Sequence, residues 1–166
     1  MKTPALKVTV ASLLFAAGSC FAAGALSVSR EVTVDNSTAT VWKLVGNFNA
    51  LDVWHPAVVK SELNGNGTKV GTRRLLTLGD GATILESLLN YSAPKTTYSY
   101  SIIKSPLPVA NYKSTITLTP VDEGHTLMKW SSTFDANGVS DEQAATIIGG
   151  IYDAGMAKVV ANFKKQ

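Results

Sequence analysis

A chain of 166 residues with 45% hydrophobic and 16% charged residues can bury one sizeable core, and it is too apolar for a disordered polyelectrolyte. The formal charge of +3 is concentrated at the start: without residues 1–22, which hold Lys2 and Lys7, 15 basic residues become 13 against 12 acidic ones, and the charge falls to +1. Only Arg73–Arg74 and Lys164–Lys165 cluster cations, so nucleic acid is not an expected partner.

Residues 1–22 read as a signal peptide. Lys2 and Lys7 precede an apolar run from Val8 to Ala17, small residues follow, and A-x-A-like cleavage positions stand after Ala22 and after Ala25. The run is too short to span a bilayer, so stable membrane insertion is not expected. Cys20 is the only cysteine and lies in this leader, which leaves the mature chain without disulfide or thiol chemistry. Ala17-Gly18-Ser19-Cys20 departs from a lipoprotein processing site at Ala17, where leucine is usual. Soluble export to a bacterial periplasm is therefore expected over lipidation.

Residues 27–166 read as one domain. From Ser27 to Asp35, Val28, Arg30, Val32 and Val34 alternate with Ser29, Glu31 and Thr33, the pattern of a half-buried strand. Asn36 or Ser37 then caps a short helix over Thr38–Phe48, and a second helical piece from Asn49 to Val53 leads into Trp54-His55-Pro56, where the proline forces extended backbone. Strands follow at Val58–Leu63, Val70–Leu78, Thr83–Tyr91, Thr97–Ile103, Asn111–Thr119 and Thr126–Asp135. Asn64-Gly65-Asn66-Gly67, Gly79-Asp80-Gly81, Ala93-Pro94-Lys95 and Asp122-Glu123-Gly124 supply the turns, and Ser105-Pro106-Leu107-Pro108 interrupts the run. The last element is a helix from Ser140 to Phe163, opened by a Ser140–Gln143 capping box. Ala144, Ile147, Ile148, Ile151, Tyr152, Gly155 and Val159 recur at helical spacing along it, so one face needs a partner, and the strands are the partner available. Gly149, Gly150 and Gly155 each sacrifice about 1 kcal/mol of helix propensity, which points to a close approach or to an adjoining space.

Period-2 parity assigns faces along the strands. Tyr112, Ser114, Ile116 and Leu118 share one side, matched by Met128, Trp130, Ser132 and Phe134. Arg74 shares parity with Leu76 and Leu78, and Glu86 with Ile84 and Leu88, which puts a cation and a carboxylate among aliphatic neighbours. Buried charges require partners, so the two meet each other or a ligand; the alternative places both at a rim.

The element order, together with Val41-Trp42, Trp54-His55-Pro56, Gly71-Thr72-Arg73-Arg74 and Ser105-Pro106-Leu107-Pro108-Val109-Ala110-Asn111-Tyr112, resembles the SRPBCC (START/Bet v 1-like) superfamily. More narrowly it is similar to the polyketide cyclase/dehydratase-like branch that holds exported bacterial proteins of the MxaD type and, more distantly, plant lachrymatory factor synthase. The resemblance runs from Val28 to Phe163. It implies an α+β helix-grip fold: a curved antiparallel sheet of about seven strands, with two short helices, wrapped around a long C-terminal helix and enclosing an apolar cavity. It also implies catalytic roles for Arg74, Glu86 and Tyr112, as oxyanion holder, proton carrier and phenolic donor, by analogy with the synthase-like members.

Other chemistries find no support. His55 and His125 are the only histidines, so no metal is expected; His125 belongs to a solvated turn and His55 to a backbone hydrogen bond near the cavity mouth. There is no Gly-x-Ser-x-Gly motif, and Gly65-Asn66-Gly67 lacks the lysine and helix start of a phosphate cradle. Trp42, Trp54 and Trp130, with Tyr98, Tyr100 and Tyr112, fit either a pocket lining or plain core. The expected function is cofactor-free binding of a hydrophobic, lipid- or polyketide-like small molecule by Trp54, His55, Tyr100, Trp130, Ile148 and Tyr152. The alternatives are a cyclase, dehydratase or isomerase using Arg74, Glu86 and Tyr112, and an accessory protein to a periplasmic dehydrogenase system.

Overall fold

The computed structural model describes residues 26–164; the signal peptide expected over residues 1–22, Cys20 and Lys165 lie outside the described residues. The elements run β1 (Leu26–Val34), α1 (Thr38–Val45), α2 (Leu51–Trp54), β2 (Val58–Asn64), β3 (Arg73–Leu78), β4 (Thr83–Ser92), β5 (Thr97–Lys104), β6 (Val109–Pro120), β7 (Thr126–Ala136) and α3 (Asp141–Phe163). The strands form one antiparallel sheet of seven in the order β1-β7-β6-β5-β4-β3-β2. This is the helix-grip architecture, with α1 and α2 bridging the two edge strands and α3 packed on β1, β7 and α2.

Local chemistry sets the boundaries. Ser37 caps α1 by accepting from the Thr40 amide, and Gly46 closes that helix on the Trp42 carbonyl. At α3 the capping box is formed in both directions, each bond at 3.2 Å: Gln143 N–H donates to Ser140 Oγ, and Ser140 N–H donates to Gln143 Oε1. β3 begins at Arg73 rather than Val70, because Asn66–Thr72 is spent on consecutive turns and Gly71 stands at φ +87°. β6 begins earlier than Asn111, at Val109, and carries one extra residue relative to β7 between Ala110 and Lys113.

The inner face is continuous. Ile116, Leu118, Met128, Trp130 and Phe134 from the sheet meet Ala144, Ile148, Tyr152, Met156 and Val159 from α3. Gly149 and Met156 join the buried stripe of α3, while Ile147, 39% exposed, and half-buried Ile151 edge it. Among the described residues α3 alone has the length and apolarity of a membrane span, but as the core helix of this sheet its apolar face already has a partner.

Candidate functional site

Between α3 and the sheet lies a pocket of about 290 Å³. The sheet contributes Leu76, Ile84, Ile102 and Trp130; α3 contributes Ile147, Ile148 and Ile151; Leu51, Ala57 and Val58 close it from the α2–β2 turn, and Leu107 from the β5–β6 connection. Four polar side chains reach the same wall: His55, Glu86, Tyr100 and Tyr112.

Arg74 and Glu86 are direct partners across the β3–β4 ladder, so their shared parity brings them together. Arg74 Nε donates to Glu86 Oε2 at 2.5 Å, and Arg74 Nη1 donates to the Phe48 carbonyl at 2.5 Å. The guanidinium lies 4.2 Å from the Phe48 ring centroid and 5.0 Å from that of Tyr100. Burial is the largest influence on Arg74 and works against the cation, but the Glu86 charge and hydrogen bond, together with the Tyr98 and Tyr100 oxygens, outweigh it, so the guanidinium stays protonated. Burial pushes the Glu86 carboxyl above the ordinary carboxylate range, and the ion pair opposes that shift without cancelling it. Arg74 is not on the pocket wall; its charge is committed to the protein.

His55 is committed in a different way. A carbonyl only accepts, so the 2.9 Å contact between His55 Nε2 and Ile151 O places a proton on Nε2, and Nδ1 accepts from the Ala57 amide at 3.2 Å. Both ring nitrogens are thus occupied in the neutral tautomer. Burial, with the Arg74 charge nearby, lowers the imidazole pKa even though the bond to Ile151 favours the cation. His55 pins α3 to the α2–β2 turn and offers the pocket a ring face rather than a base.

The tyrosines form a chain. Tyr112 Oη lies 2.5 Å from Tyr152 Oη, which lies 3.4 Å from Ser114 Oγ; Trp130 Nε1 donates to Ser114 Oγ at 2.9 Å and to Tyr100 Oη at 3.1 Å. The Trp130 and Tyr152 rings stack with centroids 4.3 Å apart and planes 16° apart. Desolvation drives the Tyr100 and Tyr112 phenols well above the usual value and the Tyr98 phenol up to about 12, so all three stay protonated at physiological pH.

Of the expected site residues, His55, Glu86, Tyr100, Tyr112, Trp130 and Ile148 share the pocket. Arg74, Trp54 and Tyr152 stand behind its wall, fully buried. Trp54 Nε1 and Arg74 Nη2 have no hydrogen-bond partner among the described residues. Parity places Ser114 inward without marking it as a junction; its role rests on three partners, the Trp130 indole, the Tyr152 hydroxyl and the Ser131 carbonyl, that converge only in three dimensions. Ile147 and Ile151 carried a helical-spacing signal that serves equally for core. His125 sits on the exposed β6–β7 turn, and its hydrogen bond to Asp122 holds that carboxyl below its usual range. No group of three or more His, Cys, Asp or Glu converges on a metal-sized site among the described residues.

A family model described as polyketide cyclase/dehydrase and lipid transport matches residues 25–164. Among solved structures, the protein XoxI from Bacillus cereus is 35% identical with a TM-score of 0.78, covering 82% of this chain and 94% of that one. A Thermobifida fusca protein is 26% identical with a TM-score of 0.75, covering 82% and 92%. A START superfamily protein from Mycobacterium smegmatis, 14% identical with a TM-score of 0.71 over 82% and 96%, shares the fold. No curated protein matches the chain.

Proposed function

The chain belongs to the polyketide cyclase/dehydrase and lipid transport family, and from that premise we propose that it is an exported periplasmic protein that binds a hydrophobic small molecule between the sheet and α3. The observation that carries this reading is the pocket of about 290 Å³, whose wall is aliphatic on the helix side, aliphatic and aromatic on the sheet side, and includes one charged side chain, Glu86. That volume corresponds to roughly ten groups of water size at ~30 Å³ each. A short acyl chain or a small ring system matches it, and its burial contributes about 25 cal/mol per Å² of apolar surface. Periplasmic placement rests on the signal-peptide pattern of residues 1–22.

Extraction and mass spectrometry of protein purified from its own periplasm, with titration of the neutral fluorophore N-phenyl-1-naphthylamine, tests the proposal. A co-purifying apolar compound is expected, as is fluorophore binding that Ala57→Phe blocks at the pocket wall. Protein that carries nothing and leaves the fluorophore dark would sink it.

A second reading, proton-transfer catalysis, draws on the raised Glu86 carboxyl sharing a pocket with Tyr112. In it Arg74 positions Glu86 instead of holding an oxyanion, since two of its nitrogens are already bonded and the group is off the wall. Binding ranks first because it requires the pocket alone.

A further inference from the structure

The polar groups at the wall differ in what they can still donate or accept. Glu86 Oε2 is taken by Arg74, whereas no hydrogen bond engages Oε1 among the described residues and Glu86 lines the pocket, so Oε1 is an open acceptor on the ion-paired carboxylate. Ser114 Oγ–H donates to the Ser131 carbonyl at 2.9 Å, so at Ser114 both Trp130 Nε1 and Tyr152 Oη must act as donors. Tyr152 then has no proton left for Tyr112, and the 2.5 Å bond between them runs from Tyr112 to Tyr152. Tyr112 therefore faces the pocket with lone pairs. Tyr100 is the reverse: its oxygen accepts from Trp130, and its own O–H is free to donate. The Tyr100 and Tyr112 ring centroids lie 6.2 Å apart, and Tyr100 flanks Arg74 beside Glu86, so these groups share one end of the pocket.

Two acceptors, one of them charged, and one donor are complementary to a hydroxyl, which donates one hydrogen bond and accepts another. They are hostile to a carboxylate, which would meet the Glu86 charge and find a single donor after losing its water. Arg74 cannot compensate: its Nε and Nη1 are bonded, and its remaining nitrogen, Nη2, is fully buried behind the pocket wall. Resting on the binding reading above, we propose that the ligand is an uncharged apolar molecule with a hydroxyl (alcohol, enol or phenol) at its buried end, and that Glu86 makes the pocket reject fatty-acid anions.

Three probes of equal chain length test this on the mature protein by displacement of N-phenyl-1-naphthylamine at neutral pH: 1-octanol, methyl octanoate and octanoate. Octanol should bind at least about tenfold more tightly than octanoate, with the ester, which accepts but cannot donate, between them. Octanoate binding as tightly as octanol overturns the proposal, and an ester equal to the alcohol overturns the hydroxyl assignment. Glu86→Gln should narrow the gap by improving octanoate. Because that variant strips Arg74 of its counterion, a pH series on the unsubstituted protein supplies an independent readout: as octanoate takes up its proton its affinity should approach that of octanol, measured alongside, and a gap that persists in acid counts against Glu86 as the discriminator. Binding of the fluorophore with no preference among the probes overturns this inference alone. Failure of all three probes and of the fluorophore overturns the carrier reading and this inference with it.

Discussion

The imidazole of His55 occupies the space that a side chain on residue 155 would need: a β-carbon built on Gly155 stands 2.7 Å from His55 Cδ2 and 3.0 Å from Trp130 Cζ3. The missing side chain lets His55 reach past the surface of α3 and donate to the Ile151 carbonyl. The closeness serves protein-to-protein contact, at a helix position where glycine is otherwise unfavourable.

The three helical glycines should consequently respond differently to alanine. Gly150→Ala meets nothing within 4 Å and should raise stability by up to about 1 kcal/mol through helix propensity. Gly155→Ala gains the same propensity but drives a methyl into three packed rings, for a net loss of about 1–2 kcal/mol. Gly149→Ala faces only the end of Arg30, an exposed side chain bound to Asp153, which can move; its effect should fall between the other two. Urea unfolding midpoints at constant slope check the order, and a stabilising Gly155→Ala would contradict the steric account.

His55 also gives stability a pH dependence with a definite sign. Its folded pKa is below the ordinary imidazole value of 6.5, so the unfolded chain binds a proton more readily. The contribution is complete above 6.5 and is lost as pH falls from there towards the lower folded value. Glu86 acts oppositely: its folded pKa is raised above 4.5, so its contribution is present below 4.5 and is lost as pH rises through the raised value. The isolating quantity is the stability of the parent protein minus that of His55→Gln at each pH. It should shrink as pH is lowered below 6.5 and stay level above it; a difference that grows on acidification would reverse the assignment.

Parity and register carried the sequence a long way at Arg74 and Glu86, because residues two apart share a face and a one-residue slip, which would turn every side chain to the other face, is strongly disfavoured when one face is buried. The pair does face inward, as does the row from Tyr112 to Leu118. Parity could not show that the second donor of Arg74 goes to the backbone carbonyl of Phe48, a contact that draws the guanidinium off the pocket wall. Nor could helical spacing separate Ile148, on the wall, from Tyr152 behind it, since both are simply inward. Gly149, Gly150 and Gly155 look alike in the sequence and meet a cation, open space and an imidazole. An alternating pattern records which face is buried, and whether that face touches core or cavity depends on the element across from it.

The buried ion pair should behave as a unit. Arg74→Met leaves the Glu86 carboxylate without its counterion, and Glu86→Met leaves the guanidinium so; each single change should cost about 3–5 kcal/mol. With both replaced by methionine, neither charge is stranded, and the loss should fall well short of the sum of the singles. A double-mutant cycle by urea unfolding measures the coupling, and additivity of the two losses would show that the pair does not interact in the folded state.

Asn111 holds a left-handed backbone, φ 54°, inside the β6 bulge, one residue before Tyr112, and its Nδ2 donates to Asp135 Oδ2 at 2.7 Å. The extra residue shifts the register so that Tyr112, Ser114, Ile116 and Leu118 all turn inward. Asparagine tolerates this conformation and glycine suits it, whereas valine is penalised by about 1–2 kcal/mol. Asn111→Gly, which loses only an exposed side-chain hydrogen bond, should therefore cost no more than about 1 kcal/mol and leave fluorophore binding intact. Asn111→Val should cost more and weaken binding as well, because relaxing the bulge swings the Tyr112 ring away from Tyr152 and out of the pocket wall. Equal stability and equal affinity for the two variants would mean that the bulge is held by β7 alone and that Asn111 does not aim Tyr112.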